Sequence, residues 1–136
     1  MPGAAALHHS ARAEALPPVV VWKDAGCGCC GGWVKHMQEA GFAVTTRNVD
    51  DMAAVKAARG VPEALQSCHT AVVAGYVVEG HVPAPDVKRL LAEKPPAKGL
   101  AAPGMPQSAP GMDAPGAPYT VVLFSSPTGD HTYAQH

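Results

Sequence analysis

Val19-Val20-Val21-Trp22-Lys23-Asp24-Ala25-Gly26-Cys27-Gly28-Cys29-Cys30-Gly31-Gly32-Trp33 is the stretch that decides the fold. Its β-branched and aromatic opening, punctuated by Pro17 and Pro18, reads as a buried strand. Beyond the glycines, Trp33, Val34, Met37 and Ala40 recur at helical spacing, and Gly41 stands just past the last turn. Three cysteines therefore fall between a strand and the first turn of a helix. Free N–H groups and a partial positive charge stabilise thiolate there, so at least one of Cys27, Cys29 and Cys30 is expected to ionise readily. Gly26, Gly28, Gly31 and Gly32 read as room for the sulfurs to converge, because Gly31 and Gly32 weaken a helical turn by roughly 1 kcal/mol each relative to alanine.

Downstream, Phe42, Val44 and Thr46 alternate as a second strand, and Asp50 or Asp51 caps a helix through Met52, Val55 and Ala58 that stops at Gly60. Thr70 to Ala74 and Val77 to Glu79 read as an antiparallel pair around Gly75 and Tyr76, with glycine at the first position of a type II′ turn. Pro85 opens a third helix with Val87, Leu90 and Leu91 on one face, ending before Pro95 and Pro96. From Pro95 to Pro118, 11 of 24 residues are Pro or Gly, and Ala-Pro-Gly-Met occurs twice, at 102–105 and 109–112. That content predicts a loop without helix or central strand, one that wraps over something. Tyr119 to Phe124 then reads as a strand, Pro127 to Asp130 as a turn and His131 to Tyr133 as a short return. The expected organisation is a disordered tail over 1–17 and one domain over 18–136, with its core at 18–94, the Pro/Gly/Met loop at 95–118 and a terminal strand region at 119–136.

At 136 residues the chain has material for one core. It has no apolar run of 18 residues to span a bilayer. Its formal charge of −1 gives no basic footprint for phosphate, which argues against nucleic acid. The first 17 residues lack the apolar stretch of a secretory signal.

Clustered cysteines make a site, because a disulfide framework spreads its cysteines so that each bridge closes a useful loop. Cys68, just before the third strand, is expected beside the start of the first helix, where four sulfurs could meet; the alternative is a buried small hydrophobe. Three chemistries compete. Zinc takes four thiolates, but adjacent Cys29 and Cys30 fit one tetrahedron poorly and the set would leave a charge of −2. A thiol-disulfide enzyme needs only Cys27 and Cys30, making Cys29 and Cys68 surplus or resolving thiols. Soft Cu(I) accepts bridging sulfur and low coordination, and four thiolates with four Cu(I) ions sum to zero charge. Met105 and Met112 could add thioether ligands from the loop, and His69, beside Cys68, could be a ligand or proton handler. His36 and His81 read as surface or loop residues, His8, His9 and His136 as solvated, Trp33 as core, and Lys23 and Asp24 as solvated loop charges.

Trp22-Lys23-Asp24 with Cys27-Gly28-Cys29-Cys30, Ser67-Cys68-His69-Thr70-Ala71, Gly75 to Pro83 and Pro103-Gly104-Met105-Pro106 together resemble the thioredoxin-like CopG copper-resistance proteins of bacteria over about residues 18 to 134. The resemblance implies an α/β, thioredoxin-like fold of order β-α-β-α-β-β-α with the Met loop and a C-terminal strand appended. It further implies a periplasmic location and cysteines that bind a cluster of copper ions. Copper oxidoreductase activity follows from the resemblance as an expectation. The residues themselves make Cys27 and Cys30 the candidate redox pair, cycling between dithiol and disulfide, with a redox or copper-exchange partner protein expected. Cys27, Cys29, Cys30 and Cys68 are the metal ligands the resemblance implies.

Overall fold

A computed structural model of the chain describes residues 15–136; the N-terminal tail up to residue 14, with His8 and His9, lies outside the described residues. Strand β1 (Val19–Lys23) leads through helix α1 (Gly28–Glu39) to β2 (Val44–Asn48), which pairs with β1 in parallel. Helix α2 (Met52–Ala58) follows, capped by the Asp51 carboxylate, which accepts the Ala54 N–H at 3.0 Å. Next come the hairpin β3 (Thr70–Val73) and β4 (Tyr76–Glu79) and helix α3 (Ala84–Glu93). This is the expected thioredoxin-like order, with β3 antiparallel to both β1 and β4. Within the described residues the sheet has seven strands, ordered β2-β1-β3-β4-β5-β6-β7.

The last three strands carry the main difference from expectation. Gly99–Ala101 forms β5 inside the Pro/Gly-rich segment, in the middle of the sheet, parallel to β4 and antiparallel to β6 (Thr120–Ser126). It survives because its three residues contain no proline, and Gly99 is required: a Cβ there would lie 1.8 Å from the Val77 carbonyl oxygen. The predicted short return is a full edge strand, β7 (Gly129–Gln135).

Alternation along the strands divides the core between two faces. Val19, Val21, Ala71, Val73 and Val78 pack with Trp33 and Met37 of α1 and Val87 and Leu90 of α3, joined by partly buried Leu16. Val77, Ala101, Phe124 and Val61 form a smaller cluster on the other face. A buried ion pair crosses that second face. The Lys56 ammonium of α2 lies 2.6 Å from the Glu79 carboxylate, with side chains 6% and 0% exposed, and also donates to the Thr70 hydroxyl at 3.0 Å. Glu79 in turn accepts from the Thr70 hydroxyl and from the Ser67 N–H at 2.9 Å, which anchors the segment entering β3. Lys23, expected to be solvated, is 8% exposed and donates to the Asp24 carbonyl and the Asn48 side chain.

Candidate metal centre

Strand β1 and helix α1 place the cysteines. Cys27 is the N-cap of α1 in extended backbone, and Cys29 and Cys30 follow in the first turn. Cys27 and Cys30 are joined in a disulfide across a Cα separation of 5.4 Å, while Cys29 and Cys68 are free thiols. Cys27 and Cys29 sulfurs are 3.6 Å apart. Cys68 arrives from the loop before β3, and the four sulfurs all lie within 4.8 Å of one another. The expected meeting of the distant cysteine with the triad is therefore realised.

A second donor set shares Cys68. Its sulfur is 3.2 Å from His69 Nδ1 and 3.2 Å from His81 Nε2, and the three ligand atoms lie within 4.8 Å of one another. His81, expected on the surface, is fully buried, as is His69. The physical reason is the hairpin register. A turn at Gly75-Tyr76 would set His81 level with Thr70; the observed turn is Ala74-Gly75, both at positive φ, the signature of type I′ rather than II′. Continuing that register past Thr70 and Glu79 brings His81 level with Cys68, and the Gly80 N–H donates to the His69 carbonyl at 3.0 Å. His36, half-buried, accepts the Ala84 N–H at 3.0 Å and so pins α1 to the start of α3. His136 is held by Asp86 at 2.7 Å and stacks on Tyr119.

The loop after β5 is what wraps the site. Gly104 N–H bonds to the Gln66 carbonyl, and the Pro110 carbonyl sits 2.7 Å from His81 Nδ1. Gly111, at φ +91°, passes so close that a Cβ would lie 2.6 Å from the Trp33 nitrogen and 2.9 Å from His81 Nδ1. Gly32 answers it from the helix, where a Cβ would meet the Gly111 oxygen at 2.9 Å. Room around sulfur is thus the wrong reading of these glycines: at Gly28 and Gly31 a Cβ meets nothing within 4 Å, and Gly32 serves the seat of the loop. Met105 is 47% exposed on this loop, and Met112 follows Gly111 partly buried.

Burial governs the electrostatics. Desolvation pushes the Cys68 thiol up to about 11, aided by the neighbouring Cys29 and partly opposed by the Ser67 hydroxyl. Cys68 is therefore not the readily ionised thiol. Desolvation lowers His69 to about 3, reinforced by His81 and Lys56, and lowers His81 too, so both imidazoles are neutral at ordinary pH with lone pairs available to a metal. The donors present, four sulfurs and two imidazoles, are soft to borderline, the chemistry that suits copper and zinc and not magnesium or calcium.

Comparison with solved structures finds two forms of a copper resistance protein CopG, each 42% identical, with TM-scores of 0.83 and 0.82. Each match covers 89% of this chain and 98% of the other. A family described as a protein of unknown function, DUF411, matches residues 65–112, a span that holds Cys68, both buried histidines and both loop methionines. No curated protein matches. With identity at this level over almost the whole of the related chains, this chain belongs to the CopG family of copper resistance proteins.

Proposed function

We propose that this protein holds Cu(I) through Cys27, Cys29, Cys30 and Cys68 as a multinuclear, thiolate-bridged cluster, and that it serves copper resistance in the periplasm. The observation that carries the reading is the convergence of four sulfurs, from two separate segments, within 4.8 Å of one another. Lys23 is engaged with Asp24 and Asn48. An all-sulfur set favours the soft monovalent ion, and a neutral cluster of four thiolates and four Cu(I) ions needs no compensating cation. The family's name supports copper as the cargo, and a Cys27–Cys30 disulfide is the kind of bond an oxidising compartment maintains. Met105 and Met112 are the thioethers on hand to pass copper to the sulfurs.

The disulfide also favours a redox role for the same pair. Two Cu(II) ions and the Cys27/Cys30 dithiol would give two Cu(I) ions, the disulfide and two protons, with reduction of the disulfide left to a thiol partner protein. Because a disulfide sulfur is a poor ligand, the cluster's capacity falls as the bond forms. A metal-free thiol-disulfide enzyme is the competing reading that the disulfide also supports. It requires Cys27 and Cys30 alone, so Cys29→Ala and Cys68→Ala would keep dithiol activity, whereas the copper reading has both substitutions lower the copper content. A passive store would bind the same copper without consuming Cu(II), which a steady-state assay of Cu(II) reduction with a thiol reductant separates from turnover.

A further inference from the structure

We infer that the groove at the end of the sheet remote from the cysteines binds an amphiphilic anion, a single alkyl chain ending in a carboxylate or phosphate, with Lys88 and Lys94 taking the head group. The inference is independent of the copper reading. Val19 at the start of β1 pairs with Val73 beside the hairpin turn, whereas Lys23 at its end leads to Cys27. The length of β1 therefore separates the groove from the sulfurs by about 15 Å. No thiol, thioether or imidazole lines the groove, so it offers a metal nothing soft.

The groove has a volume of about 840 Å³, within the roughly 300–1,000 Å³ of small-molecule sites. Residues 15–17, the hairpin turn at 74–76, the outer face of α3 and the connection to Ala97 wall it. These walls are held in place. The Tyr76 hydroxyl donates to the Pro95 carbonyl at 2.8 Å, tying the connection to the hairpin, and Leu16 packs on the main core. Leu16, Tyr76 and Leu91, each half-buried, supply an apolar floor.

The charge on this floor has one sign. Among the described residues no Asp or Glu lines the groove, and neither lysine belongs to an ion pair. Glu93, next to Lys94, is taken by Arg89 at 2.9 Å and by the Tyr133 hydroxyl at 2.7 Å. Across the hairpin turn, Arg59 and Lys98 line a second cleft that shares Gly75 and Ala97, and they too are outside every ion pair among the described residues. Lys94 stands at φ 51°, where glycine would sit without strain, so keeping a lysine there points to a use for its side chain. The negative end of α3 favours a cation at Lys94, but that attraction fades within one turn and does not reach Lys88. Apolar floor and cationic rim together fit a ligand with an alkyl body and an anionic head. A protein partner fits less well, since interface cores favour aromatic residues and arginine, whereas four of the eleven lining residues are alanine and both charges are lysine.

The test titrates the isotope-labelled disulfide form of the full chain with decanoate below its micelle concentration and follows the amide resonances. Saturable shifts are expected at residues 15–17, 74–76 and 88–97, with a dissociation constant of about 1 mM or below. The double variant Lys88→Gln with Lys94→Gln should weaken binding about five- to tenfold, as two exposed ion pairs would, and added salt should weaken it in the native chain. Ala92→Trp, which fills the groove from an exposed helical position, should abolish the shifts. No saturable shift with decanoate would overturn the inference. Equal binding of uncharged octyl glucoside, or affinity unchanged in the double lysine variant, would overturn the role of the lysines. Equal binding of acetate would overturn the role of the alkyl chain. Binding to phosphatidylglycerol vesicles without any response to decanoate would also overturn the inference, making this end of the sheet a membrane-facing surface instead.

Discussion

Replacing Glu79 by glutamine keeps the shape of the side chain and removes its charge, which strands the Lys56 ammonium in the second face of the core. In the native chain that ammonium is 2.6 Å from the carboxylate and 6% exposed, against 0% for its partner. Breaking a buried pair from one side costs about 3–5 kcal/mol, because the surviving charge stays out of water without compensation. For a chain of 136 residues, with an unfolding entropy near 2.1 cal/mol/K per residue, this corresponds to a melting temperature lower by about 10–17 °C. Glu79 also accepts the Ser67 N–H, so the segment carrying Cys68 should loosen alongside. Urea and thermal unfolding of the disulfide form, followed by circular dichroism, would measure the loss. The double substitution Lys56→Met with Glu79→Gln removes the stranded charge and should recover at least half of it. A Glu79→Gln protein within about 1 kcal/mol of the native one, or a double variant no better than the single, would refute the reasoning.

Gly111→Ala should destabilise by about 1–3 kcal/mol, since its Cβ would meet the Trp33 nitrogen at 2.6 Å at a positive φ, while Gly31→Ala should be neutral or stabilise by up to about 1 kcal/mol in open space on a helix. Equal effects in denaturant titrations would contradict the assignment of the loop's seat. For the thiol at position 68, burial penalises the charged form, so the reactive thiolate is scarce below its raised value of about 11. Alkylation of Cys68 by iodoacetamide in the disulfide form, read by peptide mass spectrometry, should rise about tenfold per pH unit from pH 8 and still be rising at pH 10; a plateau by pH 9 would contradict the burial argument.

How much of this was legible beforehand follows the range over which each signal acts. The strand, the cysteines and the helix are local, and hydrophobic period plus one capping aspartate sufficed for β1, α1 and α2. Cys68 came within reach because a strand-helix-strand layout constrains where the next strand begins. His81 did not, because its place depends on which two residues make the turn, and shifting Gly75 from the first to the second turn position moves every cross-strand neighbour. The signal was present in Ala74-Gly75, yet an alanine at φ 50° is not what turn chemistry predicts. Strand β5 was hidden because composition averages over a window, and three proline-free residues are enough for a strand when neighbours on both sides supply the hydrogen bonds. The Lys56–Glu79 pair, 23 residues apart, has no sequence signature at all.

Anaerobic Cu(I) titration of the fully reduced protein, with elemental analysis and X-ray absorption on the product, tests the central claim most directly. The account predicts more than one copper per chain with first shells dominated by sulfur and copper-copper scattering, and a lower copper content in Cys29→Ala and Cys68→Ala. A reduced protein that leaves Cu(I) with the competitor while binding a single zinc would contradict it.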